Sequence, residues 1–94
     1  MQFTFQVGVT EVHLVKFEYG RGRNKVLISV DGKAVETDTF RLWIPRTKHY
    51  DFMVGETESH KVSIDASFGR LGAKFRNPHC SASVDGHPVE PAFA

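Results

Sequence analysis

Phe3-Thr4-Phe5-Gln6-Val7-Gly8-Val9 alternates apolar side chains with polar or small ones throughout. In an extended chain successive side chains point to opposite faces. The pattern therefore puts Phe3, Phe5, Val7 and Val9 on one face, with Thr4, Gln6 and Gly8 on the other, as in a half-buried strand. Val15, Phe17 and Tyr19 repeat it with Lys16 and Glu18 outward. Val26, Ile28 and Val30 follow, then Phe40, Leu42 and Ile44, then Tyr50, Phe52 and Val54. Val62, Ile64, Ala66 and Phe68 form another set, and Cys80, Ala82 and Val84 close the series. No stretch of useful length needs a helix to explain its apolar spacing.

The segments between these sets carry turn chemistry. Asp31-Gly32 and Asp85-Gly86 are two-residue hairpin signals, because a type I′ turn needs positive φ at both central residues. Gly20 through Asn24, Pro45 through Lys48, Gly55 through Ser59 and Gly69 through Gly72 read as longer reversals. Short connections imply antiparallel neighbours, since parallel pairing needs long crossovers. The expectation is an all-β chain, an antiparallel β-sandwich of about seven to nine strands forming one domain over residues 1–94. Pro88 and Pro91 predict a tail that lies at a sheet edge or frays.

Composition narrows the function classes. The chain has 94 residues, 40% hydrophobic and 24% charged, which is ordinary for a folded domain and argues against disorder. Twelve Lys and Arg against eleven Asp and Glu nearly cancel, a net charge of +1 that offers little grip on a polyanion, so nucleic acid is a minority reading. The single cysteine, Cys80, excludes an intrachain disulfide framework. No apolar run approaches the roughly 18–20 residues of a membrane-spanning helix. The segment Met1 to Val7 lacks the features of a signal peptide, and a cytoplasmic location with no membrane partner is expected.

Two stretches echo each other. His13-Leu14-Val15-Lys16-Phe17 leads through a basic glycine turn to Val30-Asp31-Gly32-Lys33-Ala34-Val35-Glu36. His60-Lys61-Val62-Ser63-Ile64 leads through another to Val84-Asp85-Gly86-His87-Pro88-Val89-Glu90. Either hairpins resemble one another because hairpins do, or the sandwich has two pseudo-symmetric halves. At these residues the chain resembles the Fas apoptosis inhibitory molecule family. The resemblance is carried by His13-x-Val15-x-Phe17-Glu18-x-Gly20, Val30-Asp31-Gly32-Lys33, Phe40-Arg41-Leu42, Phe52-x-Val54-Gly55, Val62-x-Ile64-Asp65-Ala66 and Val84-Asp85-Gly86. It spans roughly Val12 to Val89 and corresponds to one of that family's two tandem domains. It implies an antiparallel β-sandwich and a non-enzymatic regulatory role exercised through protein contacts in death-receptor and survival signalling.

Residues able to do chemistry are sparse in pattern. His13, His49, His60, His79, His87 and Cys80 lack the tight paired spacing of a structural zinc site, and His79 and Cys80 are adjacent, so a strand sends them to opposite faces. No metal site is assigned. Strand-end histidines on a solvated surface are the simpler account, with His13 and His60 opening equivalent strands. No nucleophile elbow, paired carboxylate set or phosphate loop appears, so no catalytic residue and no cofactor is assigned. Cys80 alternates with Ala82 and Val84 and reads as a small buried hydrophobe. The basic turns are the enriched surface feature: Arg21, Arg23 and Lys25 in the first, Arg70, Lys74 and Arg76 in the second. They are read either as a converging positive patch or as solvated charge that protects strand edges. Trp43 is out of phase with Leu42 and Ile44, which fits an interface or sugar-stacking platform, or a residue absorbed at a bend. Arg21, Arg23, Trp43, Arg70 and Arg76 are the candidate partner-binding residues. The leading expectation is a non-enzymatic protein-interaction domain. A small-ligand or carbohydrate-binding sandwich is the alternative, and nucleic-acid binding through the basic loops is third.

Overall fold

The computed structural model describes residues 1–20, 24–40, 47–68 and 79–93. Among these residues nine strands run in order: β1 Gln2–Val7, β2 His13–Gly20, β3 Lys25–Val30, β4 Lys33–Thr39, β5 Thr47–Val54, β6 His60–Ser67, β7 His79–Val84, β8 His87–Val89 and β9 Ala92–Phe93. They form two sheets, β4-β3-β2-β1-β9 and β5-β6-β7-β8, with every pairing antiparallel. The β-sandwich expected from alternation is the observed fold. Among the described residues no helix is long and apolar enough to cross a membrane.

Alternation works because each sheet hides one face against the other. Phe3, Val15, Phe17, Val26 and Ile28 are fully buried on the first sheet, and Val62 and Ile64 on the second. Register lines these residues up across the strands: Phe3 stands opposite Phe17, Phe17 opposite Ile28, and Ile64 opposite Ala82. The Phe3 and Phe17 rings stack with centroids 4.9 Å apart. Tyr19, near the far end of β2, and Phe68, just beyond the far end of β6, bring those ends together at 5.3 Å, and Phe40 meets Phe68 edge-on at 5.5 Å. Such pairs add about 0.5–1.5 kcal/mol beyond the area they bury.

The two halves repeat one plan. Strands β1 to β4 and strands β5 to β8 each form a four-strand antiparallel meander, and the third and fourth strands of each are joined by an Asp-Gly turn. Asp31 and Gly32 have φ of 51° and 84°, and Asp85 and Gly86 have 51° and 82°, so both are the primed turns the sequence predicts. The C-terminal segment follows β8 at one sheet edge and then crosses to pair with β1 of the other sheet through β9. Pro88 therefore sits on an edge strand, where its missing N–H matters least.

Three expectations need correction. Val9 is not in the core but 86% exposed, because Gly8 at φ +104° ends β1 after Val7 and breaks the alternation. The sequence announces no strand over 33–39, yet Lys33–Thr39 is one, and Phe40, the one described member of the next apolar set, is buried just beyond it. That strand is almost wholly exposed and so has no apolar stripe to announce it. Its register against β3 shifts between Ile28 and Ser29, a bulge of the kind that marks exposed edges. Thr47 and Lys48, expected in a turn, begin β5. Leu42, Ile44 and the turn from Gly69 to Gly72 lie outside the described residues.

A Cβ on Gly32 or Gly86 would meet nothing within 4 Å, so a substitution there tests backbone conformation alone. Gly32→Val and Gly86→Val should each destabilise by about 1–2 kcal/mol, the cost of forcing a branched residue to positive φ. In thermal melting this amounts to roughly 4–8 °C for each kcal/mol in a domain of this size. Unchanged melting in both would show that the turns relax at no cost.

Candidate functional site

Strand direction brings eight strand termini to one end of the sandwich: the ends of β1, β3, β5 and β7 and the starts of β2, β4, β6 and β8. The most concentrated polar geometry of the described residues is here. The turn after β1 runs Gly8-Val9-Thr10-Glu11-Val12 and the turn after β5 runs Gly55-Glu56-Thr57-Glu58-Ser59. Each begins with a glycine at positive φ, +104° at Gly8 and +102° at Gly55.

Each turn sends its glutamate into the other. The Glu58 carboxylate accepts hydrogen bonds from Val9 N at 2.7 Å, Thr10 N at 2.7 Å and Thr10 Oγ1 at 2.5 Å. The Glu11 carboxylate accepts from Glu56 N at 2.7 Å, Thr57 N at 2.9 Å and Thr57 Oγ1 at 2.5 Å. The first turn belongs to one sheet and the second to the other. These are reciprocal clasps between sheets, and the contacts of one are reproduced residue for residue in the second.

A histidine completes each clasp. His60 Nε2 lies 2.5 Å from Glu58 Oε2, and His60 Nδ1 lies 2.5 Å from Asp85 Oδ2. His13 Nε2 lies 2.5 Å from Glu11 Oε2, and His13 Nδ1 lies 2.6 Å from Asp31 Oδ2. The second oxygen of Asp31 accepts from Leu14 N, and that of Asp85 from Lys61 N, both at 2.8 Å. A neutral imidazole has one N–H and would leave the other nitrogen facing a carboxylate with no proton between them. Only the imidazolium donates to both. Both histidines accordingly titrate above their ordinary value of 6.5, each raised first by its aspartate and then by its glutamate. Glu11 and Glu58 are held well below the usual carboxylate range, first by the threonine hydroxyl of the opposite turn and then by the histidine. Each histidine side chain is 21% exposed, so these are shielded positions and not the solvated strand ends that the sequence suggests.

A third histidine makes a related arrangement on the outer face of the second sheet. His49 Nε2 lies 2.8 Å from Asp51 Oδ2, and its Nδ1 faces Asp65. Asp51 also accepts from Ser63 Oγ at 2.5 Å. Among the described residues this group has no counterpart on the first sheet, where Lys16 pairs with Glu18 at 3.2 Å instead. On the β4 side, Asp38 accepts from the Tyr50 hydroxyl at 2.9 Å and pairs with Lys48 at 3.2 Å, which gives a second polar link between sheets. Cys80 is partly buried, and burial pushes its thiol up to about 11, which keeps it protonated near neutral pH. Among the described residues no group of His, Cys, Asp and Glu has the geometry to hold a metal ion.

Arg21, Arg23, Trp43, Arg70 and Arg76 lie outside the described residues, as does Lys74. Sequence reading pairs His13 with His60 and Asp31 with Asp85 but passes over Gly8, Thr10, Glu11, Gly55, Thr57 and Glu58. The signal is present: Val7-Gly8-x-Thr10-Glu11-x-His13-x-Val15 and Val54-Gly55-x-Thr57-Glu58-x-His60-x-Val62 are one pattern at one spacing. Starting the echo at the histidines cuts it off. No family model, curated protein or solved structure matches the chain.

The clasps should give stability a bell-shaped pH dependence. Lowered glutamates contribute stability that is complete above their ordinary value of 4.5 and is lost as pH falls through the folded value. Raised histidines contribute stability that is complete below 6.5 and is lost as pH rises through the folded value. Melting temperature should therefore peak between these values. His13→Gln with His60→Gln should flatten the alkaline limb, and Glu11→Gln with Glu58→Gln the acid limb. Equal limbs in wild type and variants would remove the clasps from the pH response.

The glycines are tested separately. A Cβ on Gly8 would fall 2.0 Å from Glu11 O, and one on Gly55 1.9 Å from Glu58 O. Gly8→Ala and Gly55→Ala should each destabilise by about 2–4 kcal/mol, since backbone clash adds to strained φ. By the same measurement Gly32→Ala should lose about 1 kcal/mol.

Proposed function

We propose that this chain is a non-enzymatic protein-interaction domain whose contact surface is the clasp end of the sandwich. The observation that carries this reading is the contrast between the polar and apolar groups there. The carboxylates and imidazoles of the clasps have their donors and acceptors engaged within the fold, a poor basis for turnover, because a catalytic acid or base must be able to reach substrate. Large apolar side chains nevertheless point outward on the same segments. Val9 is 86% exposed, Met53 63% and Val12 53%, with Leu14 and Val35 also exposed. Beside His13 a groove of about 430 Å³ is lined by Val30, Val35 and Met53, with Lys33 and Glu56 among its charged residues. Exposed apolar groups beside polar ones are the usual makings of a protein contact. The resemblance to the Fas apoptosis inhibitory molecule family supports a regulatory role of the same non-enzymatic kind, exercised by binding.

The test is a comparison of two baits in native lysate, wild type and a Val9→Asp, Met53→Asp variant. Both positions are exposed, so the variant should melt within a few degrees of wild type. Wild type should retain a discrete protein partner that the variant loses. Equal capture by the two baits would move the contact surface elsewhere, and retention of glycans in place of protein would replace this reading with a carbohydrate-binding one.

A further inference from the structure

We propose that each clasp is built on a carboxylate receptor, the Gly-x-Thr turn of one half with the histidine of the other, which takes a free small monocarboxylate once its own glutamate is cut back. The argument is independent of the protein-interaction reading and rests on the count and placement of donors. The Glu58 carboxylate meets Thr10 N and Thr10 Oγ1 on Oε1, and Val9 N and His60 Nε2 on Oε2. That is two donors for each oxygen, matching the roughly four lone-pair positions of a carboxylate. Glu11 N lies farther off, 3.3 Å from Oε1. The Glu11 carboxylate is met in the same way, by Thr57 N and Thr57 Oγ1 on Oε1 and by Glu56 N and His13 Nε2 on Oε2. The same receptor is thus built twice, at nearly the same distances.

The donors do not depend on the glutamate they bind. Val9 and Thr10 are presented by the backbone turn that Gly8 permits, and a Cβ at Gly8 would stand only 3.2 Å from Glu58 Oε2. His60 is oriented from its other side by Asp85, whose second oxygen is anchored by Lys61 N. Reciprocity supplies the remaining requirement. With Glu58 shortened, Glu11 still ties the two turns together through Glu56 and Thr57, so the emptied receptor stays assembled. Backbone N–H groups converging on one point form an anion site in their own right. With the hydroxyl and the imidazole the donors fall two to each oxygen, which suits a planar carboxylate better than a tetrahedral oxyanion.

Glu58→Ala removes the two carbons and two oxygens of an acetate, and acetate is therefore the probe. Glu58→Ala should melt lower than wild type in sodium chloride. Replacing chloride by acetate at equal ionic strength near pH 6 should restore at least half of the lost melting temperature, saturably, and leave wild type unmoved. Amide resonances of Val9 and Thr10 should shift along the same titration curve. Adding Thr10→Val to Glu58→Ala should abolish most of the recovery, and sulfate should not reproduce it. If Glu58→Ala does not fold in chloride, recovery of a β-sheet circular dichroism spectrum in acetate replaces melting as the readout. Glu11→Ala tests the second receptor in the same way. Acetate no better than chloride, equal recovery in sulfate, or recovery that survives Thr10→Val would each overturn the proposal.

Discussion

A carboxylate that crosses from one sheet into the backbone of the other is the constraint on which the clasp end is built. Apolar burial drives two sheets together but is non-directional, and by itself tolerates sliding. Glu11 and Glu58 remove that freedom, because each must bring both oxygens onto donors fixed in the opposite turn. The requirement is strict in both directions. A shielded carboxylate with one lone pair unmatched loses much of what it gave up to water, whereas one fully matched fixes the relative position of its partners. The turns, the strand ends and the two Asp-Gly hairpins are all arranged so that the matching is complete.

Reciprocity has the form of a two-fold interface folded into one chain. In a symmetric dimer, residue i of one subunit contacts residue j of the other, and j contacts i. Here Glu11 meets Thr57 while Glu58 meets Thr10, and the two halves are covalently joined. Neither four-stranded half would be stable alone, since each has one apolar face and too little chain to cover it. The halves have diverged where the clasp does not hold them. Lys33 opens β4 where His87 opens β8, and Met53 on β5 corresponds to Gln6 on β1. β9 adds a strand to the first sheet without an equivalent among the described residues of the second. The two faces of the clasp end therefore differ in charge and hydropathy, and a partner bound there would have reason to prefer one.

Much of the fold is legible in the sequence because the core is built on the period of two. Phe3, Phe5 and Val7, or Val62, Ile64 and Ala66, declare their strands by alternation alone. Strand β4 does not, since an edge exposed on both faces carries no apolar stripe, and Lys33-Ala34-Val35-Glu36 looks like a loop. Val9 misleads for the opposite reason: it continues the alternation one step past a glycine whose φ has already turned the chain. The clasp is harder still. Its parts lie about 45 residues apart, and Gly, Thr and Glu are unremarkable in any turn. Only the repetition of their spacing in both halves sets them apart, and only the stacking of the sheets shows that each glutamate serves the other half.

The hairpin aspartates show how closely turn chemistry and clasp chemistry are joined. A type I′ turn accepts Asn-Gly at least as readily as Asp-Gly, so backbone conformation alone does not choose the acid. At both hairpins the residue is aspartate, and both of its oxygens are in use, one by the first backbone N–H past the histidine and the other by the imidazole. An asparagine has one acceptor oxygen; its amide hydrogens would confront the imidazolium or leave the backbone donor unmatched. The acid also raises the proton affinity of the histidine, which keeps Nε2 a donor toward the glutamate. The residue that turns the chain thus sets the charge state of the clasp on the neighbouring strand. Hairpin geometry, histidine protonation and sheet-to-sheet alignment form one connected set of requirements, in which the glutamate is the last member to be satisfied.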